Sequence, residues 1–441
     1  MHLDVITPTG MICRPTALSA EQDRGGAMKE RVYATYWMET GEEPSRAAEI
    51  IAGEQSSGTF VVLPKETPEL KERFGARIER LEVIDTSSLP SLPTPQQSSK
   101  YSRCSLTLSW PIENMGTCLP TLMATVAGNL FELKAVSGLR ITDLQLPDSF
   151  ALAYPGPQFG IEGTRKLAGV ARGPLIGTII KPSVGLSASE TADQVSELVT
   201  GGIDFIKDDE LQADGPHCPF EERVKRVMAV VNAAADKTGK KAMVAFNLTG
   251  DLDKMRRRHD LVLALGGTCV MVCLNSIGLV GLLELRKHSQ LPIHAHRAGW
   301  GYLTRSPAVG WDYSPWQKFW RLLGADHLHV NGLRNKFSES DASVIAAARS
   351  VLSPVTKATA MTAMPVFSSG QTGLQAQDTY AALGCADLIH TAGGGIFGHP
   401  QGVSAGVEAL RASWEAAMVG QSLKDKAKSN KALAGALEFW R

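Results

Sequence analysis

Short apolar runs alternate with longer amphipathic stretches along most of the chain after residue 151. The runs have the length of buried strands, and the stretches between them repeat apolar residues with the period of a helix. The apolar runs lie at residues 178–181, 204–208, 242–248, 269–274, 292–296, 327–330, 365–367 and 388–392. The helical stretches include residues 187–200, 220–235, 277–288, 339–352, 372–383 and 404–417. Eight such units across roughly 270 residues predict a (β/α)8 TIM barrel. A Rossmann-type open sheet is disfavoured, since no G-x-G-x-x-G motif follows the first run.

A different pattern precedes the barrel and predicts an α+β, ferredoxin-like domain. Its expected strands are residues 32–36, 59–63, 78–84 and 105–110, its expected helices are residues 44–52 and 123–133, and residues 87–99 read as a Ser-, Pro- and Gln-rich loop. We therefore expect an N-terminal extension at residues 1–28, the α+β domain at 29–150, the barrel at 151–420 and a helical tail at 421–441.

Composition and charge narrow the classes of partner. Apolar residues make up 44% of the 441 residues and charged ones 20%, which is typical of a globular protein. Lysine plus arginine equals aspartate plus glutamate at 45 each, so no overall charge attracts the chain to nucleic acid or to an anionic membrane. No apolar run approaches the ~18 residues of a membrane span. The balanced charge favours a small-molecule partner. Seven cysteines without C-x-x-C spacing, and a start unlike a signal peptide, predict a cytoplasmic protein.

Residues 201–210 place a lysine among carboxylates at the end of an apolar run. Side chains alternate along a strand, so Lys207 and Asp209 face one side and Asp208 the other, while Glu210 lies where the strand is ending. Unmodified, the lysine and three acids sum to about −2 and form a poor cage for a hard cation. Carbamylation of Lys207 by CO2 would complete an oxygen triad with Asp209 and Glu210, as Mg2+ prefers. An ordinary salt-bridge cluster is the alternative interpretation.

Other polar residues also follow the predicted strands, at the end of a barrel where active sites lie. They are Lys181, Asn247, Asn275, His294, His296, Arg297, His327, His329, Ser368, Ser369, Gly370, Gly393, Gly394 and Gly395. The glycine triplet can bring backbone N–H groups close to an anion, so we expect a phosphorylated substrate, although such triplets also form plain tight turns. Arg297 is a candidate to clamp a second anion, either a phosphate or a carboxylate.

Two His-x-His pairs suggest zinc as an alternative metal. His294 and His296, like His327 and His329, put both rings on one face of a strand. A zinc hydrolase with a carbamylated lysine bridging two metals also uses a barrel. That hydrolase pattern places His-x-His on the first strand and the lysine on a middle one, whereas here the lysine comes early and the histidines late.

Several segments resemble the large-subunit family of ribulose-1,5-bisphosphate carboxylase (RuBisCO). They are residues 177–182, 201–210, 294–298, 324–329, 368–370 and 393–400 in the barrel, and residues 54–60 near the N-terminus. The resemblance spans about residues 30 to 420. It implies a homodimer or higher homo-oligomer, because the segment that begins at Glu54 enters the partner subunit's active site in that family.

The resemblance also implies a role for each matching residue. Lys207 as a carbamate, Asp209 and Glu210 would bind Mg2+, and Lys181 would move protons during enolisation. His296 and Lys336 would join Lys181 and Lys207 as catalytic residues. The substrate-binding residues would be Glu54, Thr121, Arg297, His329, Ser369, Gly370, Gly393 and Gly394.

Departures from the carboxylase pattern favour a RuBisCO-like protein over a carbon-fixing enzyme. In the loop after His329, Lys336 keeps its register, but Leu333, Arg334 and Asn335 replace small residues, so loop gating of the carboxylase kind is not expected. The other departures are Ser183 for a second lysine, Thr121 for an asparagine and Gln371 for a glycine.

Three functions remain open from the sequence. The leading hypothesis is a Mg2+-dependent enzyme that cleaves a carbon–carbon bond of 3-oxo-isoapionate 4-phosphate, by decarboxylation or by transcarboxylation and hydrolysis. The second is a 2,3-diketo-5-methylthiopentyl-1-phosphate enolase or a 5-methylthioribulose-1-phosphate isomerase, which Thr121 disfavours because such enolases place a lysine base near that position. The third is a non-catalytic regulatory protein, which the complete set of metal and lysine positions disfavours.

Overall fold

The computed structural model describes residues 30–58 and 63–440. The expected N-terminal extension and most of the expected strand at residues 59–63 lie outside these residues; Leu63 itself is not in a strand. The fold is a closed barrel of eight parallel strands with a separate mixed sheet before it, so the predicted fold class is confirmed.

The N-terminal sheet has five strands in the order β10-β4-β1-β3-β2. Their bounds are β1 Arg31–Thr40, β2 Arg77–Ser87, β3 Tyr101–Pro111, β4 Gly138–Gln145 and β10 Val309–Trp311. Alternate β1 residues, from Val32 to Met38, are fully buried under helices, as expected for a sheet with one covered face. The Tyr36 hydroxyl donates to the carbonyl of Val126 at 2.7 Å, which fixes a covering helix to the sheet.

Eight parallel strands close the barrel in the order β11-β12-β13-β5-β6-β7-β8-β9. They are β5 Leu175–Ile179, β6 Phe205–Lys207, β7 Met243–Asn247, β8 Cys269–Cys273, β9 Ile293–His296, β11 His327–His329, β12 Met364–Phe367 and β13 Ile389–Thr391. Each overlaps one predicted run. The first run was placed too late, because pairing with β13 begins at Leu175, and Lys181 therefore follows β5 instead of ending it.

Helices surround the barrel and cover the N-terminal sheet. In chain order they are α1 Pro44–Glu54, α2 Pro68–Phe74, α3 Leu119–Ala127, α4 Asp148–Leu152, α5 Gly160–Ala168, α6 Ala188–Thr200, α7 Phe220–Thr238, α8 Leu252–Ala264, α9 Leu274–His288, α10 Trp300–Thr304, α11 Tyr313–Leu322, α12 Asp341–Leu352, α13 Ala376–Leu383, α14 Gly393–Phe397, α15 Val403–Met418, α16 Leu423–Ala427 and α17 Lys431–Phe439. Single 3-10 turns occur at Ile112–Asn114, Leu130–Glu132 and Gly373–Gln375.

Of the helix boundaries that differ from the prediction, two have a local cause in the capping contacts. The helix expected at residues 123–133 is α3, which begins earlier and stops at Gly128, whose N–H closes the last turn on the carbonyl of Ala124. The helix expected from residue 339 begins at Asp341, because the Ser340 hydroxyl caps it by accepting from the N–H of Ser343. Glu339 therefore lies before the helix.

Candidate active site

The carboxyl ends of the barrel strands enclose one cavity of about 1090 Å3. Eleven of the predicted site residues line it: Lys181, Lys207, Glu210, His296, Arg297, His329, Lys336, Ser369, Gly370, Gly393 and Gly394. The structure thus brings together residues spread over more than two hundred positions of sequence. Parallel strands make this possible, because their carboxyl ends all meet at the same rim.

Three predicted site residues do not line this cavity. One of them, Asp209, is buried in the wall with its side chain 2% exposed. Glu54 ends α1 and Thr121 lies in α3, and both are exposed on the N-terminal domain. Neither is among the residues that line the cavity of the same chain.

The expected metal ligands lie together at the end of β6. The Lys207 side chain is 1% exposed, and its Nζ lies 3.6 Å from Glu210 Oε2. This amine has no hydrogen-bond partner among the described residues. Burial lowers the pKa of Lys207 below its usual value, although the charges of Glu210 and Asp209 oppose the shift. CO2 reacts with the uncharged form of an amine, and burial shifts the equilibrium of Lys207 towards that form.

Asp209 joins this group to the lysine that follows β5. Lys181 Nζ donates to Asp209 Oδ2 at 2.5 Å and to the Ser183 hydroxyl at 2.8 Å. Asp209 is 2% exposed, whereas the Lys181 side chain is 39% exposed. The carboxylate is therefore held inside the wall while the ammonium faces the cavity.

Asp208 points away from the cavity, as strand alternation predicts. Its Oδ2 accepts from Arg223 Nη2 at 3.0 Å and from the backbone N–H of Asn247 at 2.9 Å. The Asn247 amide in turn donates to the carbonyls of Asp209 and Glu210, each at 3.2 Å. Arg223 and Asn247 thus fix the backbone that carries the candidate metal ligands. The role of Arg223 was missed, because it lies inside a predicted amphipathic helix where an arginine normally reads as a solvated residue.

The histidines form a buried group beside the carboxylates. His296 Nε2 lies 3.5 Å from Glu210 Oε2, and the Nε2 atoms of His294 and His329 are 2.7 Å apart. Burial lowers the pKa of all three rings well below the usual value, with the charge of Lys207 adding to the effect. His294 and His329 are therefore neutral and share a hydrogen bond, so their Nε2 atoms face each other instead of a common metal.

Among the described residues, one group of histidine and acidic side chains lies close enough together to share a metal. It consists of His259 and Asp260 on α8 and His288 on α9. It does not line the cavity. His259 Nε2 accepts from the backbone N–H of Gln290 at 3.1 Å, which leaves Nδ1 to donate to Asp260 at 3.0 Å. In that tautomer neither ring nitrogen of His259 has a free lone pair to offer a metal.

The loop after β11 is tied down by the residues that depart from the carboxylase pattern. Gln371 Nε2 donates to the carbonyl of Leu333 at 3.1 Å, and Arg334 pairs with Asp378 at 2.5 Å. The Asn335 side chain bonds within the loop, accepting from the N–H of Phe337 at 2.8 Å. The side chains of Gln371, Arg334 and Asn335 therefore supply contacts that hold this loop in place.

Glu339 and Asn331 line the cavity although the sequence did not identify them. Glu339 Oε2 accepts from Arg297 Nη2 at 2.6 Å and from Asn331 Nδ2 at 2.7 Å. Ser369 donates to Asn331 Oδ1 at 2.8 Å, which connects the loop to the end of β12. Glu339 was assigned to a helix, and no local pattern relates it to an arginine 42 positions earlier.

The chain is similar to known proteins over nearly all of its length. Residues 160–440 match the family model for the ribulose bisphosphate carboxylase large chain, catalytic domain, and residues 26–150 match its N-terminal domain. A 3-oxo-isoapionate-4-phosphate transcarboxylase/hydrolase of Xanthobacter autotrophicus is 72% identical over 94% of this chain and 100% of its own. A 3-oxo-isoapionate-4-phosphate decarboxylase of Rhizobium etli is 44% identical over 91% and 97%. The crystal structure of a rubisco-like protein from Burkholderia fungorum superposes with a TM-score of 0.88 at 42% identity, covering 93% of this chain and 100% of that one.

No helix in the described ranges 30–58 and 63–440 is both long and apolar enough to cross a membrane.

Proposed function

This chain belongs to the ribulose bisphosphate carboxylase large-chain family, and we propose that it is a Mg2+-dependent enzyme that cleaves a carbon–carbon bond of 3-oxo-isoapionate 4-phosphate. The observation that carries this proposal is the convergence of Lys181, Lys207 and Glu210 at one cavity, with Asp209 buried in its wall and bonded to Lys181. The name of the 72% identical relative supports the substrate.

The residues present fit a magnesium site. Lys207 is the buried amine without a hydrogen-bond partner in the described chain, and the Glu210 carboxylate is 3.6 Å from it. We propose that Lys207, as the carbamate formed with CO2, binds Mg2+ together with Asp209 and Glu210, because three anionic oxygen donors suit this ion. When bound, the ion would supply Lewis-acid chemistry at the ketone of the substrate.

Lys181 is the candidate proton donor and acceptor. Its ammonium is exposed to the cavity and is oriented by the hydrogen bonds to Asp209 and Ser183. Loss of the carboxyl group leaves electrons on the neighbouring carbon, and Lys181 would return a proton to that carbon. His296 lies in the same cavity, with its Nε2 3.5 Å from Glu210 Oε2, and is a second catalytic candidate.

The walls of the cavity offer separate places for the ends of the substrate. Gly393 and Gly394 have no side chain to block the approach of a phosphate to the backbone, and Ser369 and Gly370 lie beside them in the lining. Lys336 comes from the loop after β11 and would hold the carboxylate. Arg297 and His329 complete the proposed substrate contacts.

The fate of the carboxyl carbon separates the two activities named for the relatives. The higher identity to the transcarboxylase/hydrolase, 72% against 44%, favours transfer of the carboxyl group over its release. The test supplies purified protein, Mg2+ and bicarbonate with substrate labelled by 13C at the carboxyl carbon and follows the label by NMR. We expect the label in the carboxylate of a product acid distinct from the substrate, whereas label in CO2 or bicarbonate would identify a decarboxylase. Failure to turn this substrate over, with enolisation of 2,3-diketo-5-methylthiopentyl 1-phosphate, would overturn the proposal.

We also propose that the protein works as a homodimer or a larger homo-oligomer. Glu54 and Thr121 are exposed and remote from the cavity lining of their own chain, so they can contribute to a site only across a subunit interface. A cytoplasmic location is proposed as well, supported by the six cysteines of the described chain, all of which are free thiols.

A further inference from the structure

Arg297 has the surroundings of an anion-binding residue. Its side chain is 7% exposed, and its guanidinium carbon lies 5.3 Å from the ring centre of Tyr313 and 6.0 Å from that of Trp300. Its Nη1 is buried and has no hydrogen-bond partner in the described chain. His329 and Ser369 line the same cavity. A fixed guanidinium of this kind binds phosphate well when its charge is available.

The charge of Arg297 is already matched by Glu339. The Glu339 carboxylate accepts from Arg297 at 2.6 Å and from Asn331 at 2.7 Å through Oε2, and from the Ser343 hydroxyl at 2.9 Å through Oε1. Its side chain is only 14% exposed. Because α12 starts after the Ser340 cap, the residue before the cap is free to point into the cavity. The three donors come from three separate segments of the chain, and together they hold the carboxylate in a fixed position in the cavity wall.

We propose that Glu339 takes the place of a second substrate phosphate and restricts the site to substrates that carry a single phosphate. A phosphate brought to Arg297 would meet the Glu339 carboxylate at close range in a partly buried site, where like charges repel strongly. Arg297 still offers the free Nη1 donor, which suits a neutral hydroxyl or ketone oxygen. Specificity thus comes from a repulsive group added beside an otherwise suitable arginine.

Positive charge remains available elsewhere in the cavity. Lys336 has no ion pair in the described residues, and its ammonium lies 5.3 Å from the ring centre of Phe337. Its side chain approaches Gly370, where an added Cβ would lie 3.6 Å from Lys336 Cβ. One anionic end of a substrate can therefore be neutralised near the β12 loop, while the Arg297 end has no net charge to offer. This inference rests on the proposed function only in assuming that the cavity binds a sugar phosphate.

The test measures binding of ribulose 1,5-bisphosphate to the full-length protein with Mg2+ and bicarbonate by titration calorimetry. Removal of the carboxylate in Glu339→Gln, which keeps the side-chain volume, should tighten bisphosphate binding at least tenfold relative to the unaltered protein. Glu339→Ala should show the same gain, which guards against a specific effect of the new amide.

A matched control removes a neighbouring charge that does not contact Arg297. Asp341 accepts from the N–H of Arg334 at 2.7 Å in the same loop, and Asp341→Asn should change bisphosphate affinity less than twofold. The inference would be overturned if the unaltered protein and both Glu339 variants bound the bisphosphate with equal affinity. It would also be overturned if Asp341→Asn gained as much affinity as the Glu339 variants. Because binding is measured without turnover, a failure of the labelled-substrate experiment would not imitate either result.

Discussion

Replacement of Lys207 by methionine should stabilise the protein while abolishing its activity. The amine is fully buried with no hydrogen-bond partner in the described residues, and burial lowers its pKa. An unsatisfied buried polar group costs about 1–3 kcal/mol. The ion pair with Glu210, at 3.6 Å to a carboxylate that is 36% exposed, offsets at most about 1 kcal/mol. Methionine fills a similar volume without the polar atom, so the net gain should be about 1–2 kcal/mol.

Thermal unfolding in buffer free of Mg2+ and CO2 measures this gain. The midpoint of Lys207→Met should lie a few degrees above that of the unaltered protein, at roughly 2–4 °C per kcal/mol. Added Mg2+ and bicarbonate should raise the midpoint of the unaltered protein only, because ligands stabilise the state that binds them. The control is Lys225→Met, which removes an exposed lysine paired with Glu221 and should leave both midpoint and activity unchanged. A midpoint for Lys207→Met below that of the unaltered protein would refute the reasoning.

Three further results are expected. Arg223→Met should lower the free energy of unfolding by about 3–5 kcal/mol, because it leaves the Asp208 carboxylate buried without its cation. Denaturant unfolding would measure this loss. The control is Arg226→Met, which removes an exposed pair with Glu222 and should cost under about 1 kcal/mol. Chelation of Mg2+ together with removal of CO2 should abolish turnover, and both additions should be needed to restore it, so recovery with Mg2+ alone in CO2-free buffer would exclude the carbamate. If sites are shared between subunits, co-expressed Glu54→Gln and Lys207→Met chains should regain activity that neither variant has alone, and no regain would argue against a shared site.

Local sequence was sufficient for the barrel and for most of its site. Each predicted apolar run overlaps a barrel strand, because buried parallel strands are continuous apolar segments whose length the chain itself records. The motif at residues 201–210 also specified its own geometry, since alternation along β6 separates Asp208 from Lys207 and Asp209. Once the barrel was recognised, the common rim at the strand ends predicted that distant residues such as Lys181 and Gly393 would share a cavity.

Elements whose neighbours come from distant sequence were missed. The N-terminal sheet gains β10 from the barrel half, where Val309 pairs with Leu139, and a three-residue strand at an edge has too few positions to show a period. Helices α8 and α11 were also left out of the prediction. The bounds of β5 depend on pairing with β13 near the other end of the chain, so the apolar pattern alone placed that strand late.

The chain by itself determined the barrel, the candidate metal-binding motif and the family, because these depend on local periodicity and on residues close together in sequence. Only the tertiary structure decided whether the charge of Arg297 is free to bind an anion or is already paired with a carboxylate. Glu339 lies 42 residues away and belongs to no motif, and it meets Arg297 because the loop after β11 returns over the end of β9. Whether a buried guanidinium has a charged partner depends on which segments meet at the rim of the barrel. At that rim, segments that are distant in sequence pack together and exclude water.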